Sequence, residues 1–251
     1  MTGLDAPAPQ GNGPGGTGSG GTGPRLILVR HGQTDANVSR ALDSRPPGFP
    51  LNALGHEQAG RVGERLSDEP IAAVYASVAP RAQQTAAPIA AAHGLVVHVV
   101  EHIHEIFCGD YEGRSDHEAR KMFDHAYRHW RDGRLEERIV GGESAAEVRD
   151  RFIPVVESLW RHHAERGDRA FVVVSHGGTI QISARAMLGH YRTPRYVPNT
   201  GRVVLAPAGR TGDGAPAGWH LERWDTAQDA GVPDPRGDVT GGAPEPDEPG
   251  R

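Results

Sequence analysis

The feature that most constrains this chain is a pair of short apolar runs, each ending in histidine and glycine: Leu26-Ile-Leu-Val-Arg30-His31-Gly32 and Val172-Val-Val-Ser175-His176-Gly177-Gly178. Runs of β-branched and aliphatic residues without polar alternation read as strands buried on both faces, as in the parallel sheets of α/β proteins. The residues that follow emerge at the carboxyl edge of the sheet, where such folds bind ligands. Arg30 offers a fork of donors matched to phosphate oxygens, and Gly32 can take a conformation with positive φ and lets the chain turn closely around a ligand.

Three more apolar runs, Ile71 to Tyr75, Leu95 to Val100 and Val203 to Ala206, complete the predicted strands. Helical signals lie between them. Asn52 caps a helix from Ala53 to about Ser67, Pro80 opens one to about Ala92, and capping boxes at Ser115 with Glu118 and at Ser144 with Glu147 start two more. Gly177-Gly178 opens a last helix to about Leu188, whose free N–H groups favour anions. Strands alternating with helices predict an α/β fold with a mostly parallel sheet covered on both faces.

Composition sets the limits of the folded part. Residues 1–24 are nearly all Gly, Pro, Thr, Ala and Ser, and residues 226–251 are rich in Pro, Gly, Asp and Glu; neither offers enough apolar surface to offset ordering entropy, so both are expected to be disordered tails. Residues 25–225 form the expected domain. The net charge of -5 resides in the tails, -1 in the first and -4 in the second, which leaves the domain formally neutral. A neutral domain has no broad electrostatic footprint for nucleic acid or membrane. The single Cys108 permits no internal disulfide, and no basic leader with an apolar stretch opens the chain, so a soluble cytoplasmic protein is expected. Its oligomeric state is not legible.

Two further segments carry chemistry. In Ser77-Val-Ala-Pro80-Arg81-Ala-Gln-Gln-Thr85, Arg81 falls in the first turn of a helix, where its charge opposes the macrodipole and an anion would compensate; alone, it reads as a solvated arginine. Glu105-Ile-Phe-Cys-Gly109-Asp-Tyr-Glu112-Gly113 carries the carboxylates of Glu105, Asp110 and Glu112, groups able to donate or accept a proton. Histidine is abundant. His98, His102 and His104 share parity in an extended strand, and His125 and His129 share a helical face; with no carboxylate or cysteine at a metal-site spacing, they read as surface histidines.

Taken in order, Arg30-His31-Gly32-x-Thr34-x-x-Asn37, Ser77 with Arg81 and Thr85, Glu105 through Gly113, Gly142-Glu143-Ser144 and Ser175-His176-Gly177-Gly178 resemble the histidine phosphatase superfamily, also called the phosphoglycerate mutase-like family, over residues 25 to 206. The resemblance implies a three-layer α/β sandwich and a catalytic set of His31, Glu105, Arg30, Arg81 and His176. In it His31 is the phosphorylated nucleophile, Arg30, Arg81 and His176 hold the phosphoryl group, and Glu105 is the proton donor. Asn37, Gln33, Thr34 and Gly177 are implied to line the substrate pocket. The family uses no metal and no cofactor, and the expected partner is a small phosphorylated metabolite.

The Asp43 to Pro50 stretch lacks the acidic residue that commonly precedes the family's Pro-Leu pair, here Pro50-Leu51; Arg40 and Arg45 of this loop read as exposed arginines, with contact to a second anionic group of the substrate as the alternative. Glu105-Ile-Phe-Cys-Gly109 looks like the phosphatase branch rather than the Glu-Arg-His-Tyr-Gly of the glycolytic mutases. The reading is a metal-independent phosphomonoesterase acting through phosphohistidine. Mutase-type phosphotransfer and a silent phosphate-binding protein are the alternatives.

Overall fold

The computed structural model describes residues 23–189 and 196–225, so the two expected tails lie almost wholly outside the described residues. A six-stranded sheet runs β3-β2-β4-β1-β5-β6, built from β1 (Arg25–Arg30), β2 (Ile71–Ser77), β3 (Val97–Val100), β4 (Ala170–Ser175), β5 (Arg202–Pro207) and β6 (Trp219–Trp224). The first four strands are mutually parallel, whereas β5 pairs antiparallel with β1 and β6 antiparallel with β5. Strand β6 escaped the sequence reading. It is an edge strand, Trp-His-Leu-Glu-Arg-Trp, largely exposed along its middle, so it lacks the apolar run that marks the central strands.

Side-chain alternation divides the core into two layers. Along β1, Leu26 and Leu28 pack with Phe171, Val173, Phe152, Val156, Trp160 and Ile180 on one face. Ile27 and Val29 pack with Val172, Val174, Val62, Ala86 and Ile89 on the other. Helices α2 (Ala53–Leu66) and α3 (Pro80–Ala92) cover the second face, and α5 (Ala145–Arg166) and α6 (Gly177–Met187) cover the first. This is the three-layer α/β sandwich expected, its parallel core bordered by two antiparallel strands.

Local signals account for most helix ends. The Asn52 side chain accepts from Gly55 N at the start of α2, and Ser144 with Glu147 forms the capping box of α5. Helix α4 (His117–Arg131) starts one residue later than read: Asp116, not Ser115, is the cap, its carboxylate accepting from the Glu118 and Ala119 amides. Aspartate is an equally good cap, and Arg114 clamps it in place through two bonds of 2.8 and 2.9 Å. Helix α1 (Asp35–Ser39), five residues closed by a Thr34–Asn37 capping box, was too short to show a period. A third apolar cluster of Phe123, Tyr127, Trp130, Leu42, Ile106, Cys108 and Ile182 seats α4 beside the carboxyl edge of the sheet.

One contact sets the distance between sheet edge and helix. Gly32 does not use the positive φ open to it; a Cβ there would lie 2.6 Å from the Gly55 carbonyl oxygen, and one on Gly55 would lie 2.1 Å from the Gln33 carbonyl oxygen. The two glycines are needed because two backbones touch. Gly60, on the same helix, has nothing within 4 Å of such a Cβ. Gly55→Ala is therefore expected to lower stability by about 1–3 kcal/mol through overpacking, and Gly60→Ala to raise it by up to about 1 kcal/mol through helix propensity. Urea midpoints of the two variants that move together would contradict this.

Candidate active site

The parallel register of β1 and β4 pairs Arg30 with Ser175, so His31 and His176 each follow their strand by one residue and leave the sheet side by side. Their rings meet edge to face, centroids 5.1 Å apart. His31 Nδ1 lies 2.7 Å from the Gly32 carbonyl oxygen. A carbonyl only accepts, so Nδ1 carries the proton and Nε2 keeps its lone pair. His176 Nε2 lies 2.9 Å from Ser77 Oγ, at the end of β2, and its Nδ1 is a buried polar atom without a hydrogen-bond partner.

Both rings are held neutral. Burial, then the charges of Arg81 and Arg30, drive the pKa of His31 well below the ordinary value, with the Gly32 carbonyl opposing. Burial, then Arg81 and His31, does the same for His176.

The arginines are interior groups. Arg81 is 1% exposed, which excludes the solvated reading; its Nη2 donates to the Asp43 carbonyl at 3.0 Å, and its Nη1 lies 3.3 Å from the Asp43 carboxylate. Burial lowers the pKa of this guanidinium, and Asp43, Glu105 and Glu112 oppose that. Asp43 thus supplies an acidic partner from the other end of a stretch that lacks an acid before Pro50. Arg30 donates from Nη1 to the Val197 carbonyl at 2.8 Å and sits over the Tyr196 ring. Thr85 Oγ1 accepts from Gly32 N at 2.9 Å and donates to the Arg81 carbonyl at 2.7 Å, which ties the His31 loop to the Arg81 helix.

Glu105 is 4% exposed and lies against the start of α6. Its Oε1 accepts from Ile106 N (2.9 Å), Thr179 N (2.9 Å) and Thr179 Oγ1 (3.1 Å), and its Oε2 from Gly178 N (3.2 Å). Two of the amides read from sequence as an anion site are therefore occupied by the protein's own carboxylate. Gly178 permits the approach, since a Cβ there would lie 3.0 Å from Oε1. The loop that carries Glu105 is stapled by Arg151, which donates to the carbonyls of His102 (2.8 Å), His104 (3.0 Å) and Glu105 (3.1 Å) while pairing with Glu143 at 2.7 Å. Glu143 in turn accepts from Phe107 N at 2.9 Å. Arg151 was missed because it sits on the long helix α5, where arginine reads as surface.

The remaining sequence candidates divide. Asn37 Oδ1 accepts from Thr34 N at 3.1 Å and from Asn199 Nδ2 at 3.2 Å, and Asn199 also donates to the His31 carbonyl at 3.0 Å. Thr34 caps α1 and Gln33 receives the Asn52 amide at 3.1 Å, so both side chains already have structural work. Gly177 packs against the Arg30 guanidinium, 3.1 Å from Nε by its Cβ position. Asn199, together with Tyr196 and Val197, was invisible because the 196–201 segment has no pattern of its own. Glu112 anchors the loop after α1: Oε1 accepts from Ser44 N (2.8 Å) and Arg45 N (3.0 Å), and Oε2 from Ser44 Oγ.

The strand parity read for His98, His102 and His104 fails. Strand β3 ends at Val100, His102 has φ 67°, His98 lies beside Tyr75, and His104 stacks on Phe107 with its pKa lowered to about 4, chiefly by burial.

A strand-end histidine pair between buried arginines, with a carboxylate held beside it, defines a site for phosphoryl chemistry in an α/β sandwich. Residues 26–213 match the model of the histidine phosphatase superfamily (branch 1), and the chain belongs to that family. It is 30% identical over 216 residues to a glucosyl-3-phosphoglycerate phosphatase of Mycolicibacterium vanbaalenii, covering 81% of this chain and 95% of the relative. It is 38% identical over 159 residues to phosphoglycerate mutase-like protein 4 of Arabidopsis thaliana, covering 62% and 67%. The native structure of a mycobacterial glucosyl-3-phosphoglycerate phosphatase superposes with a TM-score of 0.69 at 28% identity, over 81% of this chain and 99% of the other. No helix among the described residues is long and apolar enough to cross a membrane.

The lowered histidine pKa values carry a linkage consequence. An unfolded histidine takes a proton below about pH 6.5, whereas folded His31 and His176 remain neutral there. The unfolded state then binds more protons, so the stability these groups contribute is intact above about pH 6.5 and is lost as pH falls below it, with a slope of up to about 1.4 kcal/mol per pH unit for each ring. Nitrogen NMR of the ligand-free protein should show both rings neutral as pH passes down through 6.5. Protonation of either ring at its ordinary pKa would contradict the assignment.

Proposed function

We propose that this chain is a metal-independent phosphomonoesterase that hydrolyses a small phosphorylated metabolite through a phosphohistidine. The observation that carries the reading is the fixed tautomer of His31: a neutral imidazole with Nδ1–H bound to the Gly32 carbonyl and Nε2 unprotonated, placed edge-on to His176. In the first step His31 Nε2 forms a bond to phosphorus as the ester P–O bond breaks, and Glu105 delivers its proton to the departing alkoxide. In the second step water attacks the phosphorus and yields its proton to Glu105. The N–P bond then breaks, and its electron pair returns to His31. Arg30, Arg81 and the Nδ1 of His176 stabilise charge on the non-bridging oxygens. Of the two carboxylate oxygens of Glu105, Oε2 accepts a single hydrogen bond among the described residues, at 3.2 Å, against three at Oε1, and is the one suited to carrying the mobile proton.

The relatives named as glucosyl-3-phosphoglycerate phosphatases favour a substrate with a second anionic group near the phosphate. Exposed Arg45, held over the Phe107 ring by a loop anchored on Glu112, is a cation available to such a group. The buried free Cys108 and the neutral domain support a cytoplasmic protein with no nucleic-acid partner.

His31→Ala should abolish phosphate release from p-nitrophenyl phosphate and from a metabolite panel that includes glucosyl-3-phosphoglycerate. Acid quenching of the wild type with labelled substrate should trap an acid-labile phosphoenzyme. Turnover by His31→Ala within a few-fold of wild type would remove the nucleophile. Glu105→Gln should slow alkyl phosphates by about 10²–10⁴-fold and the activated aryl ester far less. Equal losses on both esters would take the acid role from Glu105. A parallel phosphoglycerate isomerisation assay tests the phosphotransfer alternative.

A further inference from the structure

We propose that His125, His129 and Glu137 form a binding site for a divalent transition cation, Zn²⁺ by its donor set, which ties helix α4 to the loop that follows it. The two histidines lie one helical turn apart on α4, and the fold adds the carboxylate that sequence spacing could not reveal. Ligand atoms of the three side chains all lie within 4.8 Å of one another. The imidazole centroids are 4.2 Å apart, tilted by 46°. A tetrahedral ion with Zn–N and Zn–O bonds of about 2.0–2.2 Å holds its ligand atoms about 3.3 Å apart, so the three groups need to draw together by at most about 1.5 Å to close on it.

The contact between His129 and Glu137 makes the cluster more than a chance surface group. His129 Nδ1 lies 3.2 Å from Glu137 Oε2, yet it is buried and makes no hydrogen bond, because the two atoms are out of line. A cation bridging them satisfies the nitrogen lone pair and the carboxylate together. Glu137 does not drift toward this position from a loose loop. Its carbonyl accepts the Trp130 indole N–H at 2.7 Å, and the next residue, Arg138, donates to the Gly142 carbonyl at 2.6 Å and bridges in antiparallel fashion to Ser144. Trp130 is itself packed in the cluster that seats α4. Two imidazoles and one carboxylate suit Zn²⁺, with Ni²⁺ and Cu²⁺ as competitors, rather than Mg²⁺ or Ca²⁺. His125 is exposed, which leaves the fourth position to water. The ion would brace the segment beside Glu105 and takes no part in phosphoryl transfer.

The test uses the full chain, stripped with chelator and titrated with ZnCl₂ by calorimetry and with CoCl₂ by visible absorption. One ion per chain is expected, with half-saturation on the order of 10 µM, weaker than four-ligand structural sites. Saturating Zn²⁺ should raise the melting temperature. His129→Asn and Glu137→Gln should each weaken binding by about tenfold or more and abolish that rise, while p-nitrophenyl phosphate turnover of the metal-free protein stays at the wild-type level. His98→Asn should bind as the wild type does. Absence of saturable binding, or binding unaltered in both His129→Asn and Glu137→Gln, overturns the proposal.

Discussion

The structure depends on the parallel pairing of β1 with β4 in one particular register. Because Arg30 lies opposite Ser175, the residues that follow emerge together, and two imidazoles meet above the sheet edge rather than on opposite faces or at different heights. A slip of one residue would turn Leu26 and Leu28 from one core layer to the other and separate the histidines at the same time. Packing of both faces is thus what holds the histidine pair in place.

That arrangement buries two guanidinium groups beside two imidazoles, which is costly unless the charges are compensated. Arg81 is compensated by Asp43, whose loop folds back over it, and Arg30 by a main-chain carbonyl and the Tyr196 ring. Burial, reinforced by the charge of Arg81, keeps both histidines unprotonated, the state in which an imidazole can act as a nucleophile. Glu105 balances the site from the other side through the amides at the start of α6, and the Arg151–Glu143 pair fixes its loop from behind. Family motifs that read as separate signatures in the chain, Glu112-Gly113 and Gly142-Glu143-Ser144, are the anchors of the loops that frame this site.

Legibility followed the range of the interaction. Strands β1, β2 and β4 were readable because burial on both faces demands unbroken apolar runs, and α2, α3, α5 and α6 because the caps of α2 and α5, Pro80 of α3 and the glycines of α6 are local signals. Strand β6 was not, since an exposed edge imposes no such demand. Gly32 was read as a turn residue when its true constraint is the backbone of α2, 23 residues further along the chain. Asn199, Asp43 and Arg151 share this invisibility, as each acts on partners far away in sequence.

By itself, the sequence determined the chemistry available to this protein: two histidines placed after buried strands, two arginines near strand ends, a glutamate in the following loop, and the layers that carry them. These are matters of composition and short spacing, which local pattern expresses directly. Only the tertiary structure decided which nitrogen of His31 bears the proton, what neutralises Arg81, and that the first amides of α6 serve Glu105. It also brought Glu137 to the His125–His129 pair. Hydrogen-bond direction and charge compensation depend on atoms brought together from distant segments, and no local spacing specifies them.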